Sequence, residues 1–262
     1  MTSIDDNQRI VPLNNGILTD AGITLAENAM ILDFGCGSGR HVYEYLDSGC
    51  ANIFGYDVQQ YLTLRNEADT FRFRLDLTDR LTRIPYPDNH FDFVYSYSVF
   101  EHVLDQEKAF HEIYRVMKPG AVSLHNFPSK WRPIEPHLFI PFGGVFRSYR
   151  YYRFWTALGI GAKFEGETDP RKLARTYTEF GQTGLCYPTG REIDAMLARC
   201  FDSVSYVTKA FLHWSPGRSR HLYPLIKMFP FLERLFRLLH TRVVLLGKRS
   251  GPSPDMAVGD SF

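Results

Sequence analysis

The sequence predicts an α/β protein built on a doubly wound, mostly parallel sheet, and three observations carry that reading. Short apolar strands alternate with helical stretches from Met30 to Phe127, the pattern that stacks helices on both faces of a parallel sheet. The first strand, Met30-Ile31-Leu32-Asp33, runs directly into three alternating glycines, Gly35, Gly37 and Gly39. Each of the first three strands ends in a carboxylate: Asp33, Asp57 and Asp76.

Taken in order, Leu18 to Asn28 predicts a short helix capped by Thr19 or Asp20. Met30 to Arg40 reads MILDFGCGSGR and turns helical through His41-Val42-Tyr43-Glu44-Tyr45-Leu46. A buried strand, a glycine turn and a helix start form a nucleotide-type cofactor site. Glycine is needed there because a Cβ would block positive φ and close approach of a ligand. Asn52 to Asp57 is the second strand, and its acid lies roughly 20 residues past the glycines, the spacing that meets a ribose diol. A strand-end cap for the next helix is the plainer role for Asp57. Phe71 to Asp76 alternates apolar and charged residues as a third strand. Phe91 to Tyr97 is the fourth, the helix Asp105 to Met117 ends at Lys118-Pro119-Gly120, and Ala121 to Phe127 is the fifth. Thr189 caps a helix over Arg191 to Cys200, and Val204–Val207 and Arg242–Leu246 close the sheet. Residues 251–262 are expected as a frayed tail.

Composition narrows the function. Lys+Arg 30 against Asp+Glu 29 leaves a net charge of +1, without the basic stripe of a nucleic-acid binder. Four spaced cysteines, Cys36, Cys50, Cys186 and Cys200, suit reduced thiols better than disulfides or a zinc site. Met1 to Asp6 is acidic and polar, so no signal peptide is expected, and no apolar run approaches the roughly 18 residues of a membrane span. A cytoplasmic protein is the expectation.

The spacing of the glycines selects among nucleotide cofactors. A dinucleotide fingerprint, G-x-G-x-x-G, needs glycine at position 40, where Arg40 stands. That departure argues against a nicotinamide oxidoreductase. G-x-G-x-G preceded by Asp33 resembles motif I of the class I S-adenosylmethionine-dependent methyltransferases. The stretches PYPDNHFDFVYSYSVFEHV and HEIYRVMKPGAVSLHNFP resemble the type-11 group of that family. The resemblance covers Met30 to about Pro128. It implies a seven-stranded Rossmann-like sheet with an antiparallel last strand, in a single domain spanning 1–262. It implies S-adenosylmethionine held by Asp33, Gly35, Cys36, Gly37, Gly39, Asp57, Val58, Asp76, Leu77, Ser96 and Tyr97. Within that set Asp57 meets the ribose, Asp76 and Leu77 meet the adenine, and Ser96 and Tyr97 border the methyl site.

Methyl transfer from a sulfonium demands alignment more than any one catalytic side chain. The candidates are His102 after strand four, and Glu135 with His137 on the proline-framed loop Pro133 to His137. Each could instead make only local or solvent contacts. His125 is a weaker candidate of the same kind. No Asp/Asn-Pro-Pro-Tyr follows strand four, and no clustered metal-ligand set is visible, so neither a nucleic-acid base acceptor nor a metal is expected.

Residues 129–187 break the strand–helix alternation and concentrate aromatics, from Trp131 through Tyr149 and Trp155 to Tyr187. A cap over the acceptor mouth is expected there. Arg147, Arg150 and Arg153 recur every third residue, as a solvated helix face or a grip for an anion. Leu222 to His240 reads as a lid helix or, less readily, as a peripheral membrane contact. The acceptor expected is a small molecule with a hydroxyl or carboxyl oxygen, lipid-like, glycan-linked or a natural product. A non-catalytic S-adenosylmethionine-binding or adapter protein is the alternative.

Overall fold

A computed structural model describes residues 9–59, 61–76, 83–164 and 166–250. Leu77 and the tail 251–262 lie outside the described residues. The strands are β1 (Ile31–Phe34), β2 (Ile53–Asp57), β3 (Phe73–Leu75), β4 (Phe91–Tyr97), β5 (Met117–Pro128), β6 (Ser203–Tyr206) and β7 (Thr241–Gly247). They form one seven-stranded sheet in the order β3-β2-β1-β4-β5-β7-β6. β7 runs antiparallel to both β5 and β6, and the other pairings are parallel. The order reverses between β1 and β4, and that switch point opens a crevice at the carboxyl ends of the strands.

Period-two side-chain alternation sends successive residues to opposite faces of the sheet. Phe93, Tyr95, Leu124, Val243 and Leu245 pack on one face with α1 (Ile10–Asp20), α2 (Arg40–Asp47) and α7 (Thr208–Trp214). Leu32, Val94, Val244 and Leu246 pack on the other with α3 (Gln106–Val116) and α6 (Gly190–Cys200). The helix starts follow from the sequence. Asp105 accepts from the Lys108 N–H at 3.0 Å. Thr189 and Glu192 make a reciprocal capping box.

Three expectations are corrected. The leading helix covers Ile10–Asp20 rather than Leu18–Asn28. Pro12 sits in its first turn, where no N–H partner is lost. Gly16 lets Trp214 of α7 approach so closely that a Cβ would lie 2.2 Å from the indole. Packing of Ile10, Leu13 and Ile17 on the sheet overrides the low helix propensity of Asn14-Asn15-Gly16. Phe71 and Arg72 belong to a 3-10 turn over Glu67–Arg72, which leaves β3 only three residues. Leu222–His240 is not a buried lid helix. It divides into α8 (Tyr223–Met228) and α9 (Phe231–Leu239), which bury Ile226 and Phe236 and expose Met228, Phe231, Leu235 and Leu238. Among the described residues no helix is long and apolar enough to cross a membrane.

Between β5 and α6 the chain forms α4 (Tyr149–Ala157) and α5 (Pro170–Thr183). These two helices share their own small core of Leu138, Ile140, Tyr152, Leu173, Ala174 and Tyr177. Arg147 precedes α4 instead of lining its face with Arg150 and Arg153. Its guanidinium donates to the carbonyls of Gly144 (3.0 Å), Gly181 (3.0 Å) and Leu185 (2.8 Å) and lies over the Tyr187 ring. It is a bracket for the segment, not a solvated charge.

Candidate functional site

The site is built where β1, β2 and β4 end. Gly35, Gly37 and Gly39 have φ of +78°, +53° and +80°, values that disfavour any residue with a Cβ. Their surroundings separate their roles. A Cβ on Gly35 would lie 2.3 Å from Val99, and one on Gly39 would lie 2.9 Å from Leu62 and Phe73. A Cβ on Gly37 would meet nothing within 4 Å. Gly35 and Gly39 permit packing, whereas Gly37 faces open space at the mouth of the crevice. Gly39 is also the N-cap of α2 and has no side chain to satisfy the first amides of that helix.

Asp57 latches this turn. Its Oδ2 accepts from the Gly37 N–H at 2.7 Å, and its Oδ1 accepts from the Gln59 N–H at 2.9 Å. Each oxygen keeps a lone pair for a further donor. Asp76 follows β3, and its N–H donates to the Asp57 carbonyl at 2.9 Å, so the two acids lie on adjacent strands. Cys36 is buried in the turn, with its N–H on the Tyr56 carbonyl at 3.1 Å, and Val58 packs half-buried behind β2.

Asp33 is 1% exposed, and its Oδ2 has no hydrogen-bond partner among the described residues. The nearest basic group is His41 Nδ1 at 3.9 Å. Burial lowers the pKa of His41 to about 4, so the ring is neutral and gives Asp33 no compensating charge. Burial, reinforced by the negative charge of Asp57 and only partly offset by the Tyr95 hydroxyl, holds the Asp33 carboxyl well above the usual carboxylate range. A buried, unsatisfied carboxylate oxygen costs about 1–3 kcal/mol. It fits a site that receives a cationic donor from outside the chain.

The end of β4 is committed to the protein. Ser96 is fully buried and shares a 2.8 Å hydrogen bond with Nδ1 of His125 on β5. His125 is kept neutral by burial, with a pKa pushed down to about 3. The Tyr97 hydroxyl donates to Asn14 Oδ1 at 2.7 Å, and Asn14 Nδ2 donates to the Tyr45 hydroxyl at 2.9 Å. This chain ties α1 to the sheet beside the glycine turn. Asn14 was not singled out from sequence, because a polar residue in an apolar helix signals nothing until its partners are known.

His102 comes together with Glu135 and His137, the latter 35 residues further along the chain. His102 Nε2 lies 3.2 Å from His137 Nε2, and His137 Nδ1 lies 2.7 Å from Glu135 Oε1. Glu135 also accepts from the N–H groups of His137 (2.8 Å) and Leu138 (2.6 Å) and from the Tyr187 hydroxyl (2.9 Å). Burial opposes its charge, but His137 and the other donors outweigh that and bring its pKa below the ordinary value. Glu101 joins them, 2% exposed, with burial raising its pKa to about 7. Sequence reading missed Glu101 and Tyr187. Glu101 adjoins His102 in the turn after β4, and Tyr187 is brought in by the return of the chain after α5, where the Cys186 N–H meets the Glu101 carbonyl at 2.6 Å. The expectation of no clustered metal-ligand set is also revised, since Glu101, His102 and His137 offer ligand atoms all within 4.8 Å of one another.

A Rossmann-like sheet with a glycine turn at its switch point and acids at the ends of β1, β2 and β3 is the frame of a nucleotide-type cofactor site. Residues 32–124 match the family model described as a methyltransferase domain. A sterol 24-C-methyltransferase of Aspergillus fumigatus is 33% identical over 105 residues, covering 37% of this chain and 27% of that protein. A phosphoethanolamine N-methyltransferase 2 of Caenorhabditis elegans is 32% identical over 96 residues, covering 34% and 22%. The matched stretch thus spans about a quarter of these curated relatives. The structure of an S-adenosylmethionine dependent methyltransferase from Mesorhizobium loti superposes with a TM-score of 0.50 at 17% identity, over 90% of this chain and 100% of that one. Residues 32–124 are thus similar to a methyltransferase domain, on a fold that this chain shares with that solved structure.

Proposed function

We propose that this chain, as a single methyltransferase domain, binds S-adenosylmethionine and transfers its methyl group to an oxygen of a small-molecule acceptor. The observation that carries the reading is the pairing of an open Gly37 cradle with the buried, unpartnered Oδ2 of Asp33. The cofactor supplies an electrophilic methyl on a sulfonium, and the chain's residues have to bind, orient and dry the site. Asp33 offers charge to the cationic amino-acid end. Asp57 offers two acceptors to a vicinal diol while holding Gly37 in place. Asp76, with Leu77, serves the base; Cys36, Val58, Ser96 and Tyr97 shape the pocket around the reacting end.

The acceptor side is read from this chain's own residues. The family match ends at residue 124, and the two relatives are named for different acceptors, a sterol and phosphoethanolamine. Residues 129–187 act as the cap. Trp131, Phe139, Phe142 and Phe146 remain exposed rather than packed into a plug, which favours an open acceptor mouth over the adapter alternative. Glu135, His137 and His102 form the polar row that would meet an acceptor hydroxyl or carboxyl. A lipid-like, glycan-linked or natural-product acceptor suits the mix of aromatics and one polar row.

The test is incubation with methyl-labelled S-adenosylmethionine and a panel of amphipathic alcohols and carboxylic acids, following S-adenosylhomocysteine release. Turnover that falls in His102→Ala supports the reading. Tight cofactor binding with no turnover on any acceptor supports the adapter alternative.

A further inference from the structure

The histidine pair poses a problem of charge. His102 Nδ1 lies 2.8 Å from the Gly184 carbonyl oxygen, which can only accept, so the ring proton of His102 sits on Nδ1. His137 Nδ1 faces Glu135, whose carboxylate accepts from four donors, so the ring proton of His137 is also on Nδ1. With both rings neutral, the two Nε2 lone pairs point at each other across 3.2 Å. Lone pairs held face to face repel unless something positive lies between them. Beside them is the Glu101 carboxylate, 2% exposed, whose Oε2 is buried without a partner among the described residues.

We infer that Glu101, His102 and His137 form a binding site for a divalent transition cation of the zinc class. The ligand atoms lie within 4.8 Å of one another. Two nitrogens 3.2 Å apart on a metal at about 2.05 Å subtend about 103°, close to a tetrahedral angle. Two imidazoles and one carboxylate suit zinc, cobalt or iron, whereas magnesium prefers an all-oxygen shell. Each imidazole already has the outer partner that metal-bound histidines require, a carboxylate for His137 and a backbone carbonyl for His102. Pro133 and Pro136 stiffen the loop that presents Glu135 and His137, and the Ile134–Pro141 bridge closes it. Three protein ligands leave one position open. His102 is exposed and His137 half-buried, so that position faces the outside and takes water or an oxygen of the acceptor.

The inference rests on the geometry of this cluster and not on methyl transfer, so each can fail without the other. The test is calorimetric titration of the metal-stripped full chain with Zn²⁺, with Co²⁺ as a visible-absorption probe of imidazole ligation and Mg²⁺ as competitor. One saturable Zn²⁺ site per chain is expected, not displaced by Mg²⁺. His102→Ala and Glu101→Gln should each weaken it at least tenfold. Glu135→Gln, which removes the outer partner, should weaken it about 10–100-fold. His102 is exposed, so its alanine variant folds, and an unchanged melting temperature confirms that. The inference is overturned by the absence of stoichiometric Zn²⁺ binding, which would leave a shared proton between the rings. It is equally overturned by a site that survives His102→Ala but is lost in His111→Ala, since Glu107, His111 and Cys200 make a second potential ligand group.

Discussion

Substituting alanine at two glycines only two residues apart should produce opposite kinds of damage. At Gly35 the new methyl lies 2.3 and 2.6 Å from the two Val99 methyls. Overpacking of this kind costs about 1–3 kcal/mol, and holding alanine at a left-handed φ adds about 1–2 kcal/mol. A total of roughly 3 kcal/mol lowers the melting temperature by roughly 6–12 °C for a chain of this size. At Gly37 the φ of +53° carries the same backbone penalty, but nothing lies within 4 Å of the new methyl. Gly37→Ala should therefore melt only a few degrees below the parent protein. Its methyl enters the cradle itself, so S-adenosylmethionine affinity should fall at least tenfold, about 1.4 kcal/mol. Differential scanning calorimetry and cofactor titration on both variants separate the effects. Wild-type affinity in Gly37→Ala would refute the assignment of the cradle. A Gly35→Ala variant as stable as the parent would refute the packing argument.

Other consequences follow from the buried groups. Asp33 has a raised pKa, so its ionisation costs stability as pH rises through the folded-state value. Asp33→Asn at pH 7 should raise the melting temperature by several degrees while weakening the cofactor at least tenfold; a variant that loses stability would contradict the unpartnered-oxygen argument. His125 has the opposite sign. Its folded pKa of about 3 lies below the ordinary 6.5, so its contribution is complete above pH 6.5 and is lost as pH falls toward 3. By pH 5 that loss is about 2 kcal/mol, and urea titrations at pH 7 and 5 should show a smaller drop in His125→Gln. Arg147→Ala removes the donor to three carbonyls and should cost about 3 kcal/mol or more, given 1.5–3 for a single charged hydrogen bond. Limited proteolysis should then cut within 144–187, with Arg147→Lys only partly protective because an ammonium cannot span three directions.

Most of the sheet is legible in the sequence because its signals are local. Apolar runs with turn residues between them place β1, β2, β4 and β5, and the Thr189/Glu192 pair places the start of α6. The glycine turn is legible because positive φ leaves few residue choices. What was misread depends on contacts across the chain. Residues 10–20 have weak helix propensity, and only the sheet and Trp214 make them a helix. Leu222–His240 looks like buried lid material, yet the fold gives it one buried residue per helix. Candidate site residues divide in the same way. Asp33 and Asp57 follow from position at strand ends. The meeting of His102 with His137, 35 residues apart, and of Glu135 with Tyr187, 52 residues apart, is a product of tertiary folding. Arg147 shows the converse, where a regular charge spacing carried no helical face at all.

The most direct measurement is calorimetric titration of the intact chain with S-adenosylmethionine and S-adenosylhomocysteine, repeated on Asp57→Ala. One saturable site per chain is expected for both ligands. Asp57→Ala should weaken it at least tenfold, because the variant loses both the proposed ribose acceptor and the 2.7 Å latch on Gly37. No binding by the intact chain, or equal binding by the variant, would contradict the assignment of the glycine turn and the β2 acid as the cofactor site.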